Sequence, residues 1–86
     1  MKDNQIFEHY VLSWSYGQHH EPIETTQECF FRVLDSMSSE FEITRSESFK
    51  AVLEPNKKYT HILEVTYTFI NYYGDKVVLG VCTKPQ

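Results

Sequence analysis

The stretch that most constrains this chain is residues 59–73, YTHILEVTYTFINYY. Its odd positions are Tyr59, His61, Leu63, Val65, Tyr67 and Phe69; its even positions are Thr60, Ile62, Glu64, Thr66, Thr68 and Ile70. A strand sends alternate side chains to opposite faces. One face is therefore apolar and aromatic, and the other carries threonines and a glutamate. β-branched and aromatic residues dominate, and Gly and Pro are absent, so strand is favoured over helix. Turn signals on both sides make it the middle of a meander, and the remaining elements are partners for it.

The segment that follows argues for a specific connection. Residues 76–83, KVVLGVCT, form a strand, and Asn71-Tyr72-Tyr73-Gly74 suits a type I turn closed by a glycine bulge. That register pairs Asn71 with Asp75, then Phe69 with Val77, Tyr67 with Leu79 and Val65 with Val81. A one-residue slip would reverse every side chain and expose Val77, Leu79 and Val81. In the expected register Cys82 falls on the outer or edge-covered side of its strand.

Upstream, residues 6–16, IFEHYVLSWSY, alternate again, with Ile6, Tyr10, Leu12, Trp14 and Tyr16 on the core face and Phe7, His9, Val11, Ser13 and Ser15 on the other. Residues 17–23, GQHHEPI, read as a loop, because Gly17 stops the strand and Pro22 disfavours helix at Glu21. Thr25-Thr26-Gln27-Glu28 fits a capping box with Thr25 as N-cap. Phe30, Val33, Leu34 and Met37 then form one helical stripe, giving a helix over residues 26–38. Residues 41–53 keep Phe41, Ile43, Phe49, Ala51 and Leu53 in one phase, as one bent strand or two pieces around a bulge. Residues 54–58, EPNKK, are the turn into the central strand.

These elements predict a single α+β domain over residues 1–86. It has two layers, one helix packed on a four-stranded, mainly antiparallel sheet, in the chain order strand, helix, strand, strand, strand. The pattern leaves open whether the first strand lies beside the second or beside the last. With 86 residues the core is small, and six Phe, six Tyr and one Trp compensate in part. No transmembrane run or secretory signal is visible. Two cysteines, Cys29 and Cys82, are too few for a secreted scaffold of this size, and read as free thiols in a reducing compartment, the cytoplasm, with a single disulfide between them as the alternative.

The charge is uneven. Between Glu21 and Glu47 seven acids stand against two bases, Arg32 and Arg45, within a chain of net charge −4. The only basic cluster, Lys57-Lys58, is too small to grip a nucleic-acid backbone. No phosphate loop, metal-ligand spacing or catalytic arrangement stands out. His19-His20-Glu21 lacks the H-x₃-H or C-x₂-C spacing of a metal site, and reads as a solvated loop. Cys29 reads as a small apolar residue rather than a nucleophile. No cofactor and no enzymatic activity are expected.

Two short stretches, HYVLSW at residues 9–14 and THILEV at residues 60–65, resemble plasmid mobilisation relaxases. Those enzymes carry a His-hydrophobic-His pair on the second stretch. Only His61 is present here, so the resemblance implies at most an inactive relative of that fold.

What remains is a small acidic intracellular domain that acts by binding a protein partner with a basic surface, as inhibitors, immunity proteins or phage counter-defence proteins do. Direct nucleic-acid or membrane binding is not expected. The candidate contact residues are Glu28, Asp35, Glu40 and Glu42, which the pattern leaves outside the core, and Tyr72 and Tyr73 in the turn. The competing readings are plain solubility for the acids and rim packing for the tyrosines. The competing function is a self-associating domain, a homodimer, with a small-molecule or enzymatic site lined by Trp14, Phe30 and Tyr67.

Overall fold

The computed structural model describes residues 7–16, 19–51 and 61–85, and the side chains of all of these except 14–16 and 19–21. The elements are β1 (His9–Tyr16), β2 (His19–Thr25), α1 (Gln27–Ser38), β3 (Thr44–Ala51), β4 (His61–Ile70) and β5 (Lys76–Pro85). The strands form one antiparallel sheet in the order β2-β1-β5-β4-β3. The α+β class with a single helix is as expected; the sheet has five strands, not four.

The extra strand is β2, in the stretch expected to be a loop. The stretch read as a loop because Gly17 stops the first strand and Pro22 disfavours helix; β2 is an edge strand, where a residue without an N–H is tolerated. Its register sets Ile23 against Leu12 and Thr25 against Tyr10. The position of the first strand is settled: β1 lies between β2 and β5. Of residues 41–53, only Thr44–Ala51 is strand among the described residues. Leu53 and the expected turn at 54–58 lie outside the described residues.

The β4–β5 connection follows its local chemistry. The Gly74 N–H donates to the Asn71 carbonyl at 3.0 Å, the Asn71 N–H donates to the Asp75 carbonyl at 2.9 Å, and Gly74 takes φ +86°. That is a turn closed by a left-handed glycine. Phe69 then opposes Val77, as expected. Beyond Thr68 the ladder shifts by one residue, so that Tyr67 opposes Gly80, not Leu79, and Val65 opposes Cys82, not Val81. Leu79 is the extra residue of a bulge. The correction for Cys82 follows: it is fully buried rather than on the outer side.

The bulge has a packing reason. It brings Gly80 directly beneath the ring of Phe30. A Cβ on Gly80 would lie 2.4 Å from Phe30 Cε2 and 3.1 Å from the Val11 carbonyl oxygen. Only glycine lets the helix sit this close to the sheet. Leu79 and Cys82, on either side of Gly80, both enter the core.

The helix starts one residue later than its capping box suggests. Thr25 is already committed to β2, paired with Tyr10. Thr26 is the N-cap, and its Oγ1 accepts from the Cys29 N–H at 3.2 Å. Phe30 and Leu34 are fully buried, and Val33 and Met37 pack half-buried against the core they form with Leu63, Val65 and Tyr67. Phe31, outside the expected stripe, is buried as well. It meets Phe30 edge-on at 5.3 Å and Tyr10 at 5.9 Å. Phe7, assigned to the outer face, also joins the core. It precedes β1 and therefore escapes the strand alternation. Its N–H donates to the Tyr10 hydroxyl at 3.2 Å.

Cys29 is exposed, and neither cysteine forms a disulfide. No helix among the described residues is long and apolar enough to cross a membrane.

Candidate protein-binding surface

Two parts of the chain converge beyond the end of α1. The first is the β4–β5 turn. Asn71 Oδ1 accepts from the Tyr73 and Asp75 backbone N–H groups, at 3.0 and 2.9 Å. This side chain holds the turn in one conformation and raises its two central residues into solvent. Tyr72 is 81% exposed and Tyr73 90%.

The second part is the exit from α1. The Glu40 and Phe41 N–H groups both donate to the Met37 carbonyl, at 3.0 and 2.9 Å. Ser38 and Ser39 hydroxyls donate to the Asp35 and Ser36 carbonyls, at 2.8 and 2.7 Å. The chain then leaves as Glu40-Phe41-Glu42, with both glutamates exposed and Phe41 half-buried. The Phe41 ring packs on Phe69 with centroids 4.7 Å apart and on Tyr72 at 4.9 Å.

Phe41 therefore joins the two parts. Its chain neighbours Glu40 and Glu42 are exposed, as are Tyr72 and Tyr73. The helix C-terminus, with its partial negative charge, ends there without a basic residue in its last turn. Asp75 closes the tyrosine turn and adds an acid; Lys76, next to it, is the base nearest in sequence. Ile70, at the end of β4, is exposed on the opposite face of the sheet from Phe69.

Glu28 and Asp35 lie elsewhere. Glu28 is in the first turn of α1 and pairs with Arg32 at 2.9 Å, both side chains exposed. An exposed pair of this kind contributes little to stability. Asp35 is exposed one turn before the helix end. Both line a shallow groove of about 460 Å³ along the helix, with Gln27, Phe31 and Arg32. Twelve helical residues span roughly 18 Å, so Glu28 is at the far end from the tyrosine turn. Of the six candidate residues, Tyr72 is in contact with the segment that carries Glu40 and Glu42, through Phe41, and Tyr73 follows it in the turn; Glu28 and Asp35 lie on the helix.

Phe41 is the residue that sequence reasoning missed. Its phase marked it as core of a strand, and nothing local says that it packs on a turn thirty residues later. Among the described residues, no three His, Cys, Asp or Glu side chains gather as a metal would require. His9 Nδ1 lies 3.2 Å from Glu24 Oε1 across β1 and β2, as an exposed pair. The side chains of His19, His20 and Glu21 lie outside the described residues. The stretches resembling relaxases fall on β1 and β4, which β5 separates, and His61 is exposed at the start of β4. Comparison with protein-family models, curated proteins and solved structures gives no match for this chain.

Proposed function

We propose that this protein is a non-enzymatic binding module. It docks a basic surface of a protein partner on the patch formed by Glu40, Glu42, Tyr72 and Tyr73, in the manner of an inhibitor, immunity or counter-defence protein. The observation that supports this reading is the contact of the Phe41 ring with Tyr72, which ties the exposed Glu40-Phe41-Glu42 segment to the tyrosine turn. Exposed tyrosines supply large contact area at low entropic cost, and the acids supply orientation and association rate. Glu40, Glu42 and Tyr73 are exposed, and Tyr72 is exposed apart from its contact with Phe41.

The alternative of a ligand held between helix and sheet finds less support. Phe30 and Tyr67 are both fully buried with ring centroids 5.7 Å apart, and Phe30 fills the space above Gly80. The side chain of Trp14, the third expected lining residue, lies outside the described residues.

The test is affinity capture from the native host, with wild type and two variants as bait, and mass spectrometry of the captured proteins. Tyr73→Ala and the double reversal Glu40→Lys with Glu42→Lys should both lose a partner that wild type retains, and retention should fall as salt rises. A partner held equally by all three baits would move the interface off this patch.

A further inference from the structure

Among the described residues the sheet ends on an open strand, and its sequence is complementary to itself. β3 is the terminal strand on one side, and all eight of its residues are exposed. The opposite edge, β2, is interrupted by Pro22; β3 contains no proline, glycine or bulge.

Which backbone groups of β3 face outward follows from the turn. Asn71 and Asp75 are joined by a backbone hydrogen bond, and hydrogen-bonded pairs alternate along an antiparallel ladder. Phe69 and Val77 form the next such pair, so odd-numbered β4 residues turn their amides to β5 and even-numbered ones to β3. The even residues of β4 oppose Thr44, Ser46, Ser48 and Lys50. The N–H and C=O groups of Glu47 and Phe49 therefore point away from the sheet.

The geometry points to a symmetric dimer in which β3 pairs antiparallel with β3 of a second copy, making one continuous ten-stranded sheet. The two-fold axis passes through Ser46. A two-fold normal to the sheet keeps each side chain on its own face, so a residue must oppose itself on the axis. With Ser46 there, Arg45 opposes the Glu47 of the other copy and Thr44 opposes Ser48. Within one chain Arg45 already pairs with Glu47 at 2.9 Å, and the dimer adds the same pair across the axis twice. Phe49, 66% exposed in the monomer, lies at the end of the paired segment. The other face presents only small hydroxyl side chains at the centre, Thr44, Ser46 and Ser48. An axis on Glu47 would instead set two glutamates together. An axis on Phe49 would leave Arg45 without a facing strand residue. A single strand pair buries less surface than a permanent interface, so self-association belongs in the micromolar range or weaker.

Sedimentation velocity over a broad concentration series tests this. Wild type should double its mass reversibly as concentration rises. Glu47→Pro removes an outward N–H without touching the ladder to β4, and should stay monomeric with the circular-dichroism spectrum unchanged. Glu47→Arg alone sets arginine against Arg45 across the axis and should also stay monomeric. Combining it with Arg45→Glu reverses both partners and should restore the dimer. If Glu47→Pro does not fold, the charge pair of variants gives the answer alone. A wild type that stays monomeric throughout, a folded Glu47→Pro protein that still dimerises, or a double reversal that fails to restore association each overturns the proposal.

Discussion

At the scale of single residues, Gly80 and Leu34 hold the two layers at their spacing. Gly80 is buried under Phe30, and Phe30 is itself fully buried with no room to retreat. Gly80→Ala should cost about 1–3 kcal/mol by overpacking. Urea unfolding measures this, and trimming the ring with Phe30→Leu in the same chain should recover part of the loss. If Gly80→Ala unfolds at the wild-type urea concentration, the close approach is not a constraint. Leu34 is fully buried on the same helix, and Leu34→Ala should cost about 2–5 kcal/mol through the cavity it leaves. An unchanged thermal melt would remove Leu34 from the core. The apolar stripe announced Leu34 from its spacing alone. Gly80 was not legible, because the reason for a glycine there is the ring of a residue fifty positions earlier.

At the scale of elements, the helix boundary separates local preference from tertiary context. Thr25 and Thr26 are chemically equal as caps. β2 takes Thr25 into its ladder, and Thr26 is left to cap the helix. Thr26→Ala should therefore cost about 1 kcal/mol in thermal or urea unfolding, and Thr25→Ala distinctly less. Equal losses would show that the cap is shared. The turn at Asn71–Gly74 shows the opposite case. Its asparagine and glycine occupy the places that turn chemistry assigns to them, and the structure agrees to the residue. The register downstream did not follow from the turn. The bulge at Leu79 reverses which of Val81 and Cys82 faces the core, and the gain is helix-to-sheet contact at Gly80.

At the scale of the whole molecule, the acidic excess divides into two surfaces. Glu28 is partly neutralised by Arg32 on the helix, whereas Glu40 and Glu42 are exposed on either side of Phe41, which touches the tyrosine turn. Reversing Glu40 and Glu42 to lysine should leave Tm nearly unchanged. With a captured partner, it should slow association markedly at low salt and less at high salt. Stopped-flow kinetics checks this; a rate indifferent to both changes would place the contact elsewhere. Local patterning determined a great deal about this protein: the strand at 61–70, the helix with its buried stripe, the glycine-closed turn, and the α+β class they imply. Each depends on residues within a few positions of one another, where period and backbone preference act directly. The tertiary structure alone decided that His19–Thr25 is a strand, that β1 lies against β5, that Cys82 is inside, and that Phe41 packs on Tyr72. These are choices between locally equivalent alternatives, and packing between residues far apart in the chain selects among them.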